Sequence, residues 1–211
     1  MLPAEVLAAI ERLPTKPAPV TLTGERIVMR PFVDADIEPL HAVSNGEPFS
    51  LGGRTHSSYD ANEAIWKWMF GGPYPDAAAL GAMLTSFAAK PDVLTLTVSD
   101  RETATPLGVA SLMSNQPAHL KIELGSIWYG PIAQGTGASR EATMLMCAHA
   151  FGLGYRRVEW KCDARNERSR RSALSYGFTF EGIQQAHMIV KGDNRDTAWF
   201  RMLAEEWHAR A

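Results

Sequence analysis

Apolar and polar side chains alternate in the middle of the chain. At residues 93–99, leucine and valine at every second position alternate with threonine and serine, which predicts a half-buried strand. Residues 107–113 and 121–129 predict two further strands. The connections between the three are too short for crossovers, so we predict an antiparallel meander.

A helical pattern follows the third strand. From Ala138 the apolar residues recur at helical spacing, and Gly154 supplies a C-terminal stop. Residues 157–163 then predict another strand. Because a helix separates this strand from residues 121–129, the two should be parallel neighbours in one sheet.

The remaining segments complete one mixed α/β domain. Residues 1–20 predict an N-terminal helix and a Pro-rich linker, and residues 21–211 predict the domain, a mixed and mostly antiparallel sheet flanked by helices. Its other predicted elements are a strand at 21–31, a helix capped by Asp34 or Asp36, a loop at 45–53, helices at 60–70, 76–89 and 169–176, and strands at 186–191 and 196–203 around a turn at Gly192, Asp193 and Asn194.

One predicted helix, the third in the chain, is rich in aromatic residues. Trp66 and Phe70 share one of its faces, which favours packing in the core. A second interpretation stays open, in which Trp68, His56 or Tyr74 lines a binding pocket under a mobile loop.

The stretch from Gln134 to Ser139 joins a predicted strand to a predicted helix and is the strongest candidate site. Gly135 and Gly137 have no Cβ and let the backbone approach a ligand closely. The first turn of a helix leaves amide N–H groups unpaired and favours an anion. The stretch therefore predicts a phosphate-binding turn.

Two familiar phosphate motifs fit this turn poorly. A Walker-type loop needs Gly-Lys followed by Ser or Thr, which is absent from the sequence. A dinucleotide-binding motif could use Gly135 and Gly137, with Glu159 at a suitable spacing for a ribose hydroxyl. However, Arg140 stands where that motif has its third glycine, and the preceding strands form hairpins.

A third interpretation is a resemblance to a known family. Gln134-x-x-Gly137-x-Ser139 resembles the acyl-CoA pyrophosphate motif of the GNAT acetyltransferases, whose last position is Gly or Ala. Three further features resemble the ribosomal-protein N-acetyltransferase (RimJ/RimL-like) branch: residues 22–31 followed by Asp36, the pair Asn166 and Ser169 before Gly177-Phe178, and the ending from Asp196 to Glu206-Trp207. The resemblance covers about residues 20–207 and implies a GNAT-like domain with splayed central parallel strands.

The resemblance also implies acetyl-CoA as the co-substrate, with no metal. In the family, the pantetheine arm lies between the two splayed strands. In this chain, the resemblance places the pantetheine arm against the backbone of Ile127, Trp128 and Tyr129 and against the side chain of Asn166. It places the pyrophosphate on the turn formed by Gln134, Gly135, Thr136, Gly137, Ala138 and Ser139. Arg170 or Arg171 could reach a CoA phosphate, or could form a solvated helix face.

The implied chemistry is attack of a neutral amine on a thioester. Related enzymes carry a carboxylate at the position of Glu123, which could act as a general base directly or through water. Its spacing predicts that Glu123 shares one strand face with Gly125 and Ile127. The alternative for Glu123 is a structural carboxylate paired with an arginine. A backbone N–H near Tyr129 would stabilise the oxyanion.

The leaving thiolate needs little help, because an ordinary thiol has a pKa near 8.5. Many GNAT members place a tyrosine four residues before the Gly-Phe pair, where this chain has Ala173. Tyr176 occupies a different place, so its role is not carried over. The resemblance makes Ser169 the candidate near the sulfur, and Ser169 could also be the N-cap of its helix.

Composition and charge argue against several other classes of protein. The formal net charge is −2 and the main basic run is the arginine group at 168–171, so a nucleic-acid partner is not expected. Cys147 and Cys162 lack metal-ligand spacing and predict buried thiols in a reducing compartment. The apolar stretches are shorter than the ~20 residues of a membrane span and the N-terminus lacks signal-peptide features, which together predict a cytoplasmic protein without membrane attachment.

The sequence thus predicts an N-acetyltransferase that uses acetyl-CoA. The acceptor amine could be a protein N-terminus, a lysine or a small molecule, and a homodimer is compatible with the resemblance. Two alternatives stay open: a non-catalytic acyl-CoA-binding or sensing domain of the same fold, and a dinucleotide-binding oxidoreductase.

Overall fold

The structure is a computed structural model that describes residues 1–210. Its strands are β1 (Leu22–Thr23), β2 (Ile27–Pro31), β3 (Phe49–Leu51), β4 (Arg54–His56), β5 (Leu94–Asp100), β6 (Pro106–Gln116), β7 (Lys121–Tyr129), β8 (Arg157–Asp163), β9 (Thr179–Val190) and β10 (Asp193–Leu203). Its α-helices are α1 (Ala4–Arg12), α2 (Ile37–Ala42), α3 (Ala77–Ala88), α4 (Ala138–Gly152), α5 (Glu167–Ser175) and α6 (Ala204–His208). Within the described residues, no helix has the length and apolar character needed to cross a membrane.

Eight strands form one mixed sheet in the order β1-β2-β5-β6-β7-β8-β10-β9. The predicted antiparallel meander is confirmed as β5, β6 and β7, and the predicted parallel pair as β7 and β8. The parallel ladder pairs residues 121–124 with residues 157–160 and then ends, although both strands continue. The two strands therefore separate beyond Leu124, as the resemblance implied.

Helices cover the sheet on both faces. One apolar cluster joins α4 to the sheet, and a second joins α2, α3 and Trp66 to it. Strand β5 is consequently buried on both sides: its polar residues Thr95 and Thr97 are only 3% and 0% exposed. The prediction of a half-buried strand was wrong, because threonine hydroxyls can be satisfied inside a protein and do not mark a solvent face.

A β-bulge changes which residues of β7 share a face. Val109 of β6 pairs with Trp128 of β7, and Ser111 pairs with Gly125, so two residues along β6 correspond to three along β7. The bulge lies at Ser126, which has φ of +49°. Trp128 therefore shares the face of Gly125 and Glu123. The prediction that Ile127 lies on this face was wrong, because the bulge reverses the alternation after Gly125.

Several predicted boundaries in the first part of the chain also change. The strand expected at 21–31 is interrupted and forms the antiparallel pair β1 and β2. The loop at 45–53 contains β3, which pairs with β4 in a small separate hairpin. The aromatic helix is a short π-helical segment, Asn62–Trp66. These elements are short, so their hydrophobic periods are incomplete.

The final hairpin is longer than predicted. Strands β9 and β10 begin earlier than expected, and the turn lies at Lys191 and Gly192, both at positive φ, so Asp193 already pairs with Val190. Strand β9 is the edge of the sheet and most of its side chains are exposed, so it carries no alternating pattern.

The N-terminal segment packs on the main body. Ala9 and Leu13 belong to the cluster around α4, and the Asn115 amide donates to the carbonyl oxygens of Pro14 and Thr15, each at 2.8 Å. The extension therefore covers one end of the sheet rather than projecting from it.

Asp36, predicted as a helix cap, is a buried carboxylate. It is 3% exposed and bonds Arg30, the Thr97 hydroxyl at 2.7 Å and the Val33 amide at 3.1 Å. Burial alone would raise the pKa of Asp36, but the hydrogen bonds from these three groups and the charge of Arg30 hold it below its ordinary value.

We expect Asp36→Asn to lower the free energy of unfolding by about 3 kcal/mol at neutral pH, because Arg30 loses its buried partner. The pKa of Asp36 is lower in the folded state, so this stabilisation is complete above the unfolded-state pKa and is lost as pH falls through the folded-state pKa. Urea unfolding from neutral to acidic pH should therefore show a flatter acid decline in the variant. Asp34→Asn, an exposed neighbour in the same turn, should change neither quantity.

Candidate active site

The separation of β7 and β8 opens a cavity of about 730 Å³. The turn before α4 and the β9–β10 hairpin both contribute to its lining. Of the predicted site residues, those that line the cavity are Glu123, Ile127, Trp128, Tyr129, Gln134, Gly135, Gly137, Ser139, Asn166 and Ser169. Thr136 and Ala138 are not among the lining residues.

The turn before α4 presents its backbone to the cavity. Gly135 and Gly137 have φ of +73° and +85°, and a Cβ added at either would meet no atom within 4 Å. The amide N–H groups of Gly135, Gly137 and Ser139, and that of Arg140, have no acceptor among residues 1–210. Four backbone donors at the start of a 15-residue helix form a surface suited to an anion.

The other two amides between Gly135 and Ser139 are already engaged. The Thr136 amide donates to the Ala133 carbonyl at 3.4 Å, and the Ala138 amide donates to the Thr136 hydroxyl at 3.3 Å. The Thr136 hydroxyl itself donates to the Ala133 carbonyl at 2.7 Å. Two of the predicted site residues, Thr136 and Ala138, therefore use their amides to hold the turn together.

A basic and aromatic group beside the turn was missed in the sequence. The Arg140 guanidinium donates to the Ser175 carbonyl at 3.0 Å and lies 5.8 Å from the Tyr176 ring. The Tyr176 hydroxyl donates to the Ser139 hydroxyl at 3.2 Å. Burial and the nearby Tyr176 hydroxyl raise the pKa of Tyr129. The sequence signal for Arg140 is its place in the first turn of the helix, where a basic side chain can reach an anion bound at the helix N-terminus.

The arginines suggested for a CoA phosphate lie elsewhere. Arg170 donates to the Ala164 carbonyl at 3.2 Å, and Arg171 lies 3.8 Å from Glu167 on the exposed face of α5. Neither lines the cavity. The solvated-face interpretation fits Arg171, and the cation beside the turn is Arg140.

Glu123 lies at the floor of the cavity and is 8% exposed. Its Oε2 accepts from Lys161 Nζ at 2.8 Å, so its partner is a lysine and not the arginine that the structural alternative expected. Lys161 also contacts Glu159 at 3.0 Å and lies 4.0 Å from the Trp199 ring. Burial would raise the pKa of Glu159, but hydrogen bonds from Arg157 and Lys161 hold it below its ordinary value.

The second carboxylate oxygen of Glu123, Oε1, is not paired with Lys161. Oε1 has no hydrogen-bond donor among the described residues, and a Cβ built on Gly125 would lie 3.1 Å from it. Glycine at position 125 therefore leaves space beside this oxygen. An amine or a water in the cavity could donate to Oε1 while Lys161 holds Oε2.

Asn166, and not Ser169, is the N-cap of α5. Asn166 Oδ1 accepts from the Ser169 amide at 3.0 Å, and the helix begins at Glu167. Trp160 Nε1 donates to the Ser169 hydroxyl oxygen at 3.0 Å. Because that bond uses the oxygen as an acceptor, the hydroxyl proton of Ser169 can be donated either to the neighbouring Cys162 sulfur or to a group in the cavity. Burial raises the pKa of the neighbouring Cys162 thiol.

The aromatic segment is divided between core and cavity. Trp66 is 1% exposed and donates to the Ser44 carbonyl at 2.8 Å, whereas Phe70 is 61% exposed and lines the cavity with Trp68. Trp66 and Phe70 do not share a face, because the π-helical turn ends between them. Tyr74 packs on Trp66 at 5.1 Å and does not line the cavity. His56 also lies outside it and stacks on a ring of the β3–β4 hairpin.

The fold and the site together define the class: a mixed sheet whose one parallel pair among the described strands separates beside a glycine-rich helix start. Residues 26–179 match the family model of the acetyltransferase (GNAT) domain. The GCN5-related N-acetyltransferase from Brucella melitensis is 36% identical, with a TM-score of 0.82 over 92% of this chain and 83% of that chain.

Other solved acetyltransferase structures are also similar to this chain. A structure from Chromobacterium violaceum ATCC 12472, described as a GNAT-family acetyltransferase, is 30% identical with a TM-score of 0.81 over 93% of this chain and 92% of that chain. One from Vibrio cholerae, described as a ribosomal-protein-serine acetyltransferase, shares the fold at 18% identity and a TM-score of 0.66, over 87% of this chain and 97% of that chain. No curated protein matches the chain significantly.

The chain belongs to the GNAT acetyltransferase family, because the family model matches most of its length. GNAT acetyltransferases use acetyl-CoA. The turn before α4 fits such a group, since its four unpaired backbone donors and Arg140 offer positive charge in the lining of the cavity.

Proposed function

We propose that the protein transfers the acetyl group of acetyl-CoA to a primary amine. The observation that supports this most directly is the continuity of the cavity, which runs from the turn before α4 to Glu123 between two separated strands. An extended thioester held by its phosphates at one end would reach a buried carboxylate at the other. The thioester is the acetyl donor, and the residues of this chain bind it and manage the protons.

The turn before α4 would hold the pyrophosphate through the amides of Gly135, Gly137 and Ser139, with Arg140 beside them. The backbone of residues 127–129, where the ladder to β8 has ended, would pair with the pantetheine arm. Asn166 lines the same gap. Its Oδ1 caps α5, so the contribution we propose for Asn166 is its amide N–H₂ group.

Glu123 would accept a proton from the amine through Oε1, directly or through a water. The neutral amine then attacks the thioester carbonyl, and a backbone N–H near Tyr129 would stabilise the oxyanion. Collapse of the tetrahedral species breaks the C–S bond, and the second proton that the nitrogen loses passes through water to the departing sulfur, which leaves as a thiol. Ser169 would donate its hydroxyl proton in a hydrogen bond to that sulfur, because Trp160 leaves the hydroxyl oriented as a donor.

Sequence motifs alone support the finer assignment to the ribosomal-protein branch. A protein N-terminus, a lysine and a small amine are all compatible with them. A domain that binds acyl-CoA without catalysis is the second candidate, because Lys161 engages one oxygen of the only carboxylate we assign to proton transfer.

Thermal unfolding with acetyl-CoA, CoA, NAD or ATP tests the proposal. A ligand at about 100 times its dissociation constant stabilises the folded state by roughly 2.7 kcal/mol, so the melting temperature should rise measurably with acetyl-CoA and CoA. NAD and ATP should have no effect. If NAD stabilises the protein and CoA does not, the result would contradict the proposal and favour a dinucleotide-binding oxidoreductase. Binding of acetyl-CoA without acetylation of any amine would favour the non-catalytic domain.

A further inference from the structure

Arg195 on β10 is a buried cation without a protein partner. Its residue is 7% exposed, and among residues 1–210 its guanidinium forms no hydrogen bond and no ion pair. Among the anions, Asp163 has the largest electrostatic effect on Arg195, but it is held by Arg165, which approaches its two carboxylate oxygens at 3.0 and 2.9 Å. A buried charge is expensive unless something compensates it, so an arginine in this state indicates a missing anion.

The guanidinium is held in place by an aromatic ring. Its Cζ lies 4.8 Å from the centre of the Phe70 ring. The segment carrying Phe70 is fixed to the β9–β10 hairpin, because Lys191 Nζ donates to the carbonyls of Trp66 at 2.8 Å and Gly72 at 2.7 Å. Arg195 is therefore positioned before any ligand binds.

Arg195 opens onto the cavity at the end far from the phosphate turn. Its neighbours contact the N-terminal end of α5: Ala164 donates to the Asp196 carbonyl at 2.8 Å. The C-terminal end of α5 lies at the turn, where Arg140 contacts Ser175. At 1.5 Å per residue, the nine residues of α5 separate the two ends by about 13 Å.

The terminal nitrogens of Arg195 are the donors that a ligand could reach. Within the described residues, the buried side-chain polar atoms without a partner are Arg195 Nε, Trp199 Nε1 and Trp128 Nε1, and protein atoms cover all three. The two terminal guanidinium nitrogens of Arg195 also lack a partner but are not covered in this way, and Arg195 lines the cavity. A ligand that brings negative charge could therefore pair with these two nitrogens.

We propose that Arg195 binds an anionic group of the acceptor, so that the acceptor is an amine that also carries a carboxylate or a phosphate. This inference rests on the proposed function and narrows its substrate. The amine would lie towards Glu123 while the anion lies on Arg195, and both groups line the same cavity. Planar guanidinium geometry suits either anion through paired hydrogen bonds.

The test compares wild type with Arg195→Met, which keeps the volume and removes the charge. The probes are a series of ω-aminocarboxylates, the matching aminoalkylphosphonates and the neutral amides of the carboxylates. Wild type should acetylate one anionic series with kcat/KM about 100-fold above the amides, because the amides leave Arg195 unpaired. Comparison of the carboxylate and phosphonate series identifies the anion. The preference should fall below about 5-fold in Arg195→Met.

Arg201→Met is the matched control on the same strand. Arg201 bonds Glu206 and lies 3.8 Å from Glu181, so its loss should lower the melting temperature and leave the anion preference intact. Arg195→Met should keep or raise the melting temperature, because no protein anion loses a partner. Equal rates on acids and amides in wild type, or a preserved preference in Arg195→Met, would overturn the inference.

Binding measurements separate this inference from the proposed function. Arg195→Met should be stabilised by acetyl-CoA as much as wild type, and loss of that stabilisation would assign Arg195 to the CoA site instead. Absence of acetyl-CoA stabilisation in wild type would contradict the proposed function. The anionic probes are also tested by thermal shift on the CoA-saturated and the CoA-free protein. If none of them stabilises wild type more than Arg195→Met, Arg195 is not an anion site.

Discussion

Gly137→Val should reduce the affinity for acetyl-CoA by at least about 100-fold while the protein stays folded. The amides of Gly135, Gly137 and Ser139 supply the donors that we propose for the pyrophosphate, and charge-assisted hydrogen bonds contribute roughly 1.5–3 kcal/mol each. A valine side chain would project into the open space beside the turn, where no protein atom lies within 4 Å of the added Cβ. It would also oppose the positive φ of +85°. Isothermal titration with acetyl-CoA measures the effect.

Gly53→Val is the control for backbone strain. Gly53 has φ of +73°, its added Cβ also meets nothing within 4 Å, and it lies in the β3–β4 hairpin outside the cavity. Both variants should therefore lose similar conformational stability, which circular dichroism and thermal unfolding report. Normal acetyl-CoA binding by Gly137→Val would mean that the turn before α4 is not the phosphate site. Loss of binding in Gly53→Val would mean that strain alone explains the result.

The glycine-rich turn before α4 could be predicted because its signal is local. Gly135, Gly137 and the start of α4 lie within a few residues of each other, and the physics of a helix N-terminus does not depend on the rest of the fold. The parallel pairing of β7 with β8 followed from a single rule about crossover connections. Both predictions required only the order of the elements along the chain.

The position of Ile127 could not be predicted, because it depends on the bulge at Ser126. A bulge adds one residue to one strand of a pair, and nothing in the sequence of β7 alone shows where it falls. The hydrogen bonds made by the amides of Thr136 and Ala138 could not be predicted for a related reason. Whether a particular amide is available depends on the hydroxyl of Thr136, whose rotamer is fixed only in the folded turn.

Apart from Glu123, which the family resemblance indicated, the polar residues at this end of the cavity could not be predicted from the sequence because they are far apart along the chain. Glu123 and Lys161 lie on neighbouring strands, and Arg195 comes from the final hairpin. Arg195 gives no sequence signal at all, since its distinguishing property is the lack of a partner in space. This property is also what makes it informative about the substrate.

Glu123→Gln should lower kcat by about 100-fold and leave acetyl-CoA affinity unchanged. General-base catalysis contributes typically 10²–10⁴-fold, and glutamine keeps the shape of glutamate without accepting a proton. The acid limb of the pH–rate profile, which reports the essential base, should disappear in the variant. The measurements are steady-state kinetics across pH and a binding titration with acetyl-CoA. An unchanged rate and pH profile would show that Glu123 is structural.

Glu159→Gln distinguishes a base from a structural partner of Lys161. Glu159 pairs in register with Glu123, is 4% exposed against 8%, and binds the same lysine, but it does not line the cavity. Each substitution removes one carboxylate from Lys161 and leaves it the other. If Glu123 accepts the proton of the amine, only Glu123→Gln loses the acid limb, while Glu159→Gln changes kcat by less than about 5-fold. Equal losses in both variants would mean that Glu123 acts by positioning Lys161, and the base would then have to be a water or the acceptor's own anion held on Arg195.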